Sequence, residues 1–154
     1  MKPLVETNTK TLSTAILLLR IMTGLILFVS GAGKVVGWFG GFGMNATVDM
    51  FKSSMHLSSF WIYLSCYAEF IGGFLIMGGL LTRIAAFALF INMLVATLFV
   101  GFKNFFMGGA AYPSLLMVIF LVIVFSGPMA YSIDAVLAKK KRTEKINSGF
   151  SIAF

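Results

Sequence analysis

The chain has 154 residues, of which 59% are hydrophobic and only 11% charged, with a net charge of +7. That balance excludes a disordered chain and a soluble globular domain, and describes one membrane-embedded domain over residues 1–154. The single cysteine, Cys66, excludes an internal disulfide, a paired-thiol redox centre and an all-thiolate zinc or iron–sulfur site.

A hydrocarbon core about 30 Å thick takes about 20 apolar residues to cross at about 1.5 Å each. Four segments meet or approach that length, residues 12–33, 60–81, 84–102 and 110–126. The expected fold is therefore all-α, a membrane four-helix bundle. The first segment is too long for a cleavable signal peptide and runs on into an apolar loop, so it stays as a span. Four spans put both termini on the side of the second loop, which together carry Lys2, Lys10, Arg83, Lys139, Lys140, Lys141, Arg142 and Lys145. The opposite loops hold Lys34, Lys52 and Lys103. The excess of positive charge predicts that both termini are cytoplasmic. The basic tail, residues 139–154, then fixes topology and touches anionic lipid, which explains the net charge without nucleic acid as a partner.

In chain order, residues 1–11 form a polar lead, with Thr11 or Ser13 available to cap the first helix. Arg20 stands alone among leucines and isoleucines, and helical spacing sets Ile16, Gly24 and Gly31 on its face, where small residues let another helix approach. The glycine-rich stretch from Gly31 to Gly43 lacks the preceding strand and the glycine register of a phosphate loop. It reads as an interfacial turn with Trp38, Phe39 and Phe42 at headgroup depth. Irregular backbone survives at membrane depth only where protein or a cavity covers it, so this loop, with Lys34 and Trp38, is the expected lid of a cavity. Residues 45–59 are amphipathic and predict a short interfacial helix in the first outer loop. The lone His56 at its end reads as solvated; it cannot supply both axial ligands of a haem, and no metal site is expected.

Glu69 is the only acidic residue inside a long apolar run. An ionisable group in hydrocarbon costs from ~3 to above ~10 kcal/mol, so it needs a partner or a function. Gly72 and Gly73 follow one turn later, and Cys66 precedes it as a small buried hydrophobe. The third span holds one central polar residue, Asn92. Counting about 1.5 Å per residue from the nearest loop sets Arg20, Glu69 and Asn92 each ~12 Å from a membrane boundary, with Arg20 and Glu69 within ~6 Å in depth. The expectation is a midplane polar cluster of these three. Two readings of it stand side by side. In one, a buried ion pair fixes helix register. In the other, the cluster is a ligand site in an apolar, aromatic cavity whose shape and donors suit a quinone. The last span, opened by Tyr112-Pro113, is apolar all round and carries no chemistry. Ser126-Gly127-Pro128 stops it before a short segment holding Asp134.

The order Leu19-Arg20, Gly33-Lys34, Gly37-Trp38-Phe39-Gly40-Gly41, Ala68-Glu69-Phe70-Ile71-Gly72-Gly73, Gly79-Leu80-Leu81-Thr82-Arg83, Tyr112-Pro113, Gly127-Pro128 and Tyr131-Ser132-Ile133-Asp134 resembles the DoxX family over about residues 14–138. The resemblance implies a four-helix bundle in a bacterial inner membrane and, for some relatives, a place as a subunit of thiosulfate:quinone oxidoreductase or another membrane redox assembly. Many relatives carry a histidine just before the glycine and lysine of the first loop, where this chain has Ser30. The expected function is a redox-associated, quinone-interacting subunit with no catalytic residues or intrinsic cofactor of its own, working with another membrane or membrane-associated protein that holds the electron-transfer centre. The alternative is a non-catalytic structural or assembly subunit.

Overall fold

The structure, a computed structural model, describes residues 9–100, 109–129 and 131–150. They form six α-helices and no strand: α1 (Thr9–Val35), α2 (Gly43–Met55), α3 (Ser59–Gly78), α4 (Thr82–Val100), α5 (Ala111–Ser126) and α6 (Ile133–Phe150), with a 3-10 turn at Trp38–Gly40. Three of them, α1, α3 and α4, are long and apolar enough to cross a membrane. With 16 residues, α5 spans about 24 Å and lies alongside α4. The chain is thus an all-helical, multi-pass membrane protein. Residues 101–108, and with them Lys103 and the end of the third expected span, lie outside the described residues, as do residues 151–154 of the tail.

The bundle is built on α1 and α3, which cross backbone to backbone. A Cβ on Gly24 would sit 2.8 Å from the Gly73 carbonyl oxygen, and one on Gly73 would sit 2.6 Å from the Phe28 amide nitrogen. Neither position has room for a side chain, so the glycines set the interhelical distance. Gly31 meets the Phe70 backbone in the same way. Small residues on the face of Arg20 therefore do what their spacing predicts. Gly72 does not share that role, because it faces the Leu89 side chain of α4 instead. The main apolar core joins Leu27 and Ile76 to Ala86, Leu89, Met93, Leu116, Phe120 and Ile123. In α5 the buried residues recur every three or four positions, while Leu115, Val118, Val122 and Phe125 point outward. An apolar side chain loses nothing by facing lipid, so this helix needs no polar face.

The two central helices are offset along their axes. Gly24 meets Gly73 and Gly31 meets Phe70, so α1 runs on past the end of α3 at one end of the bundle, and α3 runs on past α1 at the other. Over the projecting start of α3 lies α2, whose Val48 packs with Ile62 and Cys66, flanked by Val35, Met44, Phe51 and Leu57. The expected interfacial helix is present but is docked on protein through its apolar face. It ends at His56, which is exposed, adopts φ 52° and returns its amide to the Lys52 carbonyl. At the opposite end α3 closes with Gly79 at φ 67°. There the Gly79 amide bonds the Ile76 carbonyl and the Leu80 amide bonds the Leu75 carbonyl, satisfying the last carbonyls of the helix. The expected short segment around Asp134 is the start of α6, which continues through the basic run to Phe150.

Candidate functional site

The structure separates the expected midplane cluster into two sites at different depths. Glu69 is 6% exposed, and its carboxylate is met by two groups from α1. The Lys34 Nζ lies 2.5 Å from Oε2, and the Ser30 hydroxyl donates to the same oxygen at 3.0 Å. This is the one ion pair among the described residues. Lys34 belongs to the last turn of α1, not to the loop in which the sequence reading set it. Its place follows from spacing: Arg20, Gly24, Leu27, Gly31 and Lys34 recur at four, three, four and three residues, one continuous face of a helix. That register is the signal in the sequence that carries α1 past Gly33 to Lys34.

Lys34 and Ser30 also line a cleft of about 370 Å³, together with Trp38, Phe39, Phe42 and Phe51. The loop that forms its wall turns through Gly37 at φ 78°, Phe39 at φ 56° and Gly40 at φ 79°. Gly41 packs so closely on the Gly33 backbone that no Cβ fits between them. Lys34 and Trp38, expected in a loop that lids a cavity, both line this cleft. The cleft is thus aromatic, partly open, and carries one cation whose counter-charge is buried behind it. Lys34 retains 29% exposure of its side chain against 8% for Glu69, and Lys34, not Glu69, lines the cleft. Its volume falls in the ordinary range of small-molecule sites.

Arg20 is elsewhere. It is 1% exposed, and Ser30 follows it by ten residues, about 15 Å along the same helix. Its Nε donates to the Ile76 carbonyl at 3.2 Å, and its Nη1 donates to the Pro128 carbonyl at 2.9 Å and the Tyr131 carbonyl at 3.4 Å. The guanidinium therefore ties α1 to the last turn of α3 and to the turn between α5 and α6, where carbonyls at a helix C-terminus favour a cation. Gly79 is required there twice over, by its positive φ and because a Cβ would fall on the guanidinium. Beside it Asp134 caps α4 from outside, accepting from the Leu81 amide at 2.9 Å and from the Thr82 amide and hydroxyl at 2.8 Å each. Burial opposes ionisation of Asp134, but these hydrogen bonds and the nearby Arg20 charge prevail and hold its carboxyl below the usual value.

The pairing of Arg20 with Glu69 is thus corrected. Counting residues from the start of the first span does not fix the depth of Arg20, because α1 projects beyond the end of α3 and Arg20 is level with the loops that end α3 and α5. Asn92 joins neither site: its side chain is half-buried, and its Nδ2 has no hydrogen-bond partner among the described residues. Ser30 and Asp134 were the functional-site and clamp residues not foreseen. A serine and an aspartate near helix ends are too common to be singled out without knowing what faces them.

A family model described as DoxX matches residues 15–101, the stretch that contains Arg20, Ser30, Lys34 and Glu69. The protein named "Putative oxidoreductase CatD" from Bacillus subtilis (strain 168) is 32% identical over 139 residues, covering 90% of this chain and 98% of that protein. "Inner membrane protein YqjF" from Escherichia coli (strain K12) is 32% identical over 137 residues, covering 81% of this chain and 93% of that protein. No solved structure matches the chain.

Proposed function

The chain belongs to the DoxX family, and from that premise we propose that it is an inner-membrane subunit, both termini cytoplasmic, which binds a quinone-type ligand in the Lys34 cleft and acts with a partner protein. The observation that carries this reading is a single buried-backed cation in an aromatic cleft, Lys34 held by Glu69 and flanked by Trp38, Phe39 and Phe51. A quinone has a flat ring that such side chains can face and carbonyl oxygens that an ammonium can bond. When bound it supplies reversible two-electron, two-proton chemistry. Lys34 would donate to a carbonyl oxygen, Glu69 and Ser30 would hold the ammonium at the cleft wall, and the loop from Gly37 to Gly43 would limit access of water. On this reading the partner protein supplies the electrons. The names "Putative oxidoreductase CatD" and "Inner membrane protein YqjF" fit the redox and inner-membrane parts of this reading.

The alternative, a non-catalytic structural or assembly subunit, is favoured by the fate of Arg20, whose hydrogen bonds all go to backbone carbonyls of its own chain. The two are separated by purifying the protein in mild detergent and analysing co-purifying lipid-soluble molecules by mass spectrometry, for the native chain, Lys34→Met and Glu69→Gln. Quinone retained by the native chain and lost from Lys34→Met, with helicity unchanged, supports the ligand site. If no form retains quinone and both substitutions only lower the Tm, the ion pair is structural and the chain is an assembly subunit.

A further inference from the structure

The end of the bundle opposite the cleft carries a second feature, built on the start of α6. The Asp134 amide donates to the Gly79 carbonyl at 3.0 Å while its carboxylate caps α4, so the first turn of α6 is fixed to the turn between α3 and α4. From that anchor α6 presents Ile133, Val136 and Leu137, all exposed although large and apolar; Val136 is 67% exposed. Four consecutive cations follow, Lys139, Lys140, Lys141 and Arg142, all exposed, and none has an ion-pair partner among the described residues. Beside the helix start lies an apolar groove of about 400 Å³ lined by Ile21, Phe74, Met77, Gly78, Leu80 and Ile133. Helical spacing sets Lys140 on the face of Ile133, two turns and about 10 Å further on.

We propose that this end of the molecule is a binding site for an anionic phospholipid, with an acyl chain in the groove and the phosphate on the cations of α6. Charge alone would suit any polyanion, but a nucleic acid or a free phosphate bound by the four cations would make no use of the groove and would offer no apolar contact to the exposed Val136 and Leu137. A lipid satisfies both halves, because its phosphate lies just beyond its acyl chains, as the cations lie just beyond the groove. The anchoring by Asp134 matters because it holds the cations in one direction relative to the groove, which a free tail would not do.

The test is native mass spectrometry of the full chain after exchange into detergent containing phosphatidylglycerol or phosphatidylcholine. We expect one retained phosphatidylglycerol per chain, at least ten-fold over phosphatidylcholine, undisturbed by millimolar inorganic phosphate. The combined Lys139→Gln, Lys140→Gln, Lys141→Gln and Arg142→Gln variant should lose that preference, whereas Lys52→Gln, a charge change on α2 at the other end, should keep it. Equal retention of the two lipids, persistence of the preference in the four-site variant, or its loss in Lys52→Gln overturns the proposal. So does displacement by inorganic phosphate, which would make the cations a simple anion site. A second variant, Gly78→Phe, fills the groove without touching the charges and should weaken retention of phosphatidylglycerol; unchanged retention removes the groove from the site.

Discussion

At the scale of single residues, the energetics of Glu69 rest on Lys34. Removing one partner of a buried pair leaves an uncompensated charge and costs about 3–5 kcal/mol. Lys34 keeps 29% of its side chain exposed, so water softens the loss, and Lys34→Met is expected to cost about 2–3 kcal/mol. Adding Glu69→Leu to that variant should restore most of the stability, since the stranded carboxylate is then gone; a double-mutant cycle by thermal or denaturant unfolding measures the coupling. Asp134 offers a test with a defined pH dependence. Its folded-state pKa is depressed below the ordinary 3.8, so the stability it contributes is complete above that value and is lost as pH falls through the lower folded value. Asp134→Ala should cost about 1–2 kcal/mol at neutral pH, as loss of a helix cap does. The gap between variant and native chain should close as the pH is lowered below about 4.

At the scale of elements, the α1 and α3 crossing is held by the absence of side chains. Gly73→Ala places a methyl 2.6 Å from the Phe28 amide nitrogen and 2.8 Å from the Gly24 carbonyl oxygen, both backbone atoms that cannot turn aside. The helices must separate, and we expect a loss of about 1–3 kcal/mol, the usual range for overpacking. Gly78→Ala is the control: its new methyl would meet only the tip of the Ile133 side chain at 3.4 Å, so stability should change by less than about 0.5 kcal/mol. Unfolding of both variants under one set of detergent conditions decides between a packing role for Gly73 and a general intolerance of these helices. The same crossing couples to the site, because the offset that brings Gly24 to Gly73 also brings Ser30 and Lys34 level with Glu69. A substitution that separates the helices should therefore loosen the ion pair as well.

At the scale of the whole molecule, the two ends of the bundle differ in kind. One end holds the aromatic cleft beneath α2, and the other holds the Arg20 and Asp134 clamp with the basic α6. If the basic end is cytoplasmic, as the charge asymmetry implies, a membrane-impermeant thiol reagent should distinguish the faces. Cys66 is buried and the only cysteine, so in a Cys66→Ala background Lys52→Cys should be labelled from outside intact spheroplasts. Lys141→Cys should be labelled only in inverted vesicles. The reverse pattern inverts the molecule and moves the cleft to the cytoplasmic leaflet.

The environment, the helical class, the approximate spans, the close approach at Gly24 and Gly31, and the need of Glu69 for a partner are all legible in the sequence, because each follows from hydropathy or spacing within a single helix. Membership in the DoxX family was legible too, in short motifs that kept their order. Which residue neutralises Glu69 was not legible. That depends on how far one helix slides along another, and a slide of a few residues moves a charge by 5 Å or more at about 1.5 Å each. Only the tertiary structure decided that Lys34 and Ser30, rather than Arg20, face the carboxylate, since the glycine contacts between α1 and α3 fix the offset and the loops fix where each helix ends.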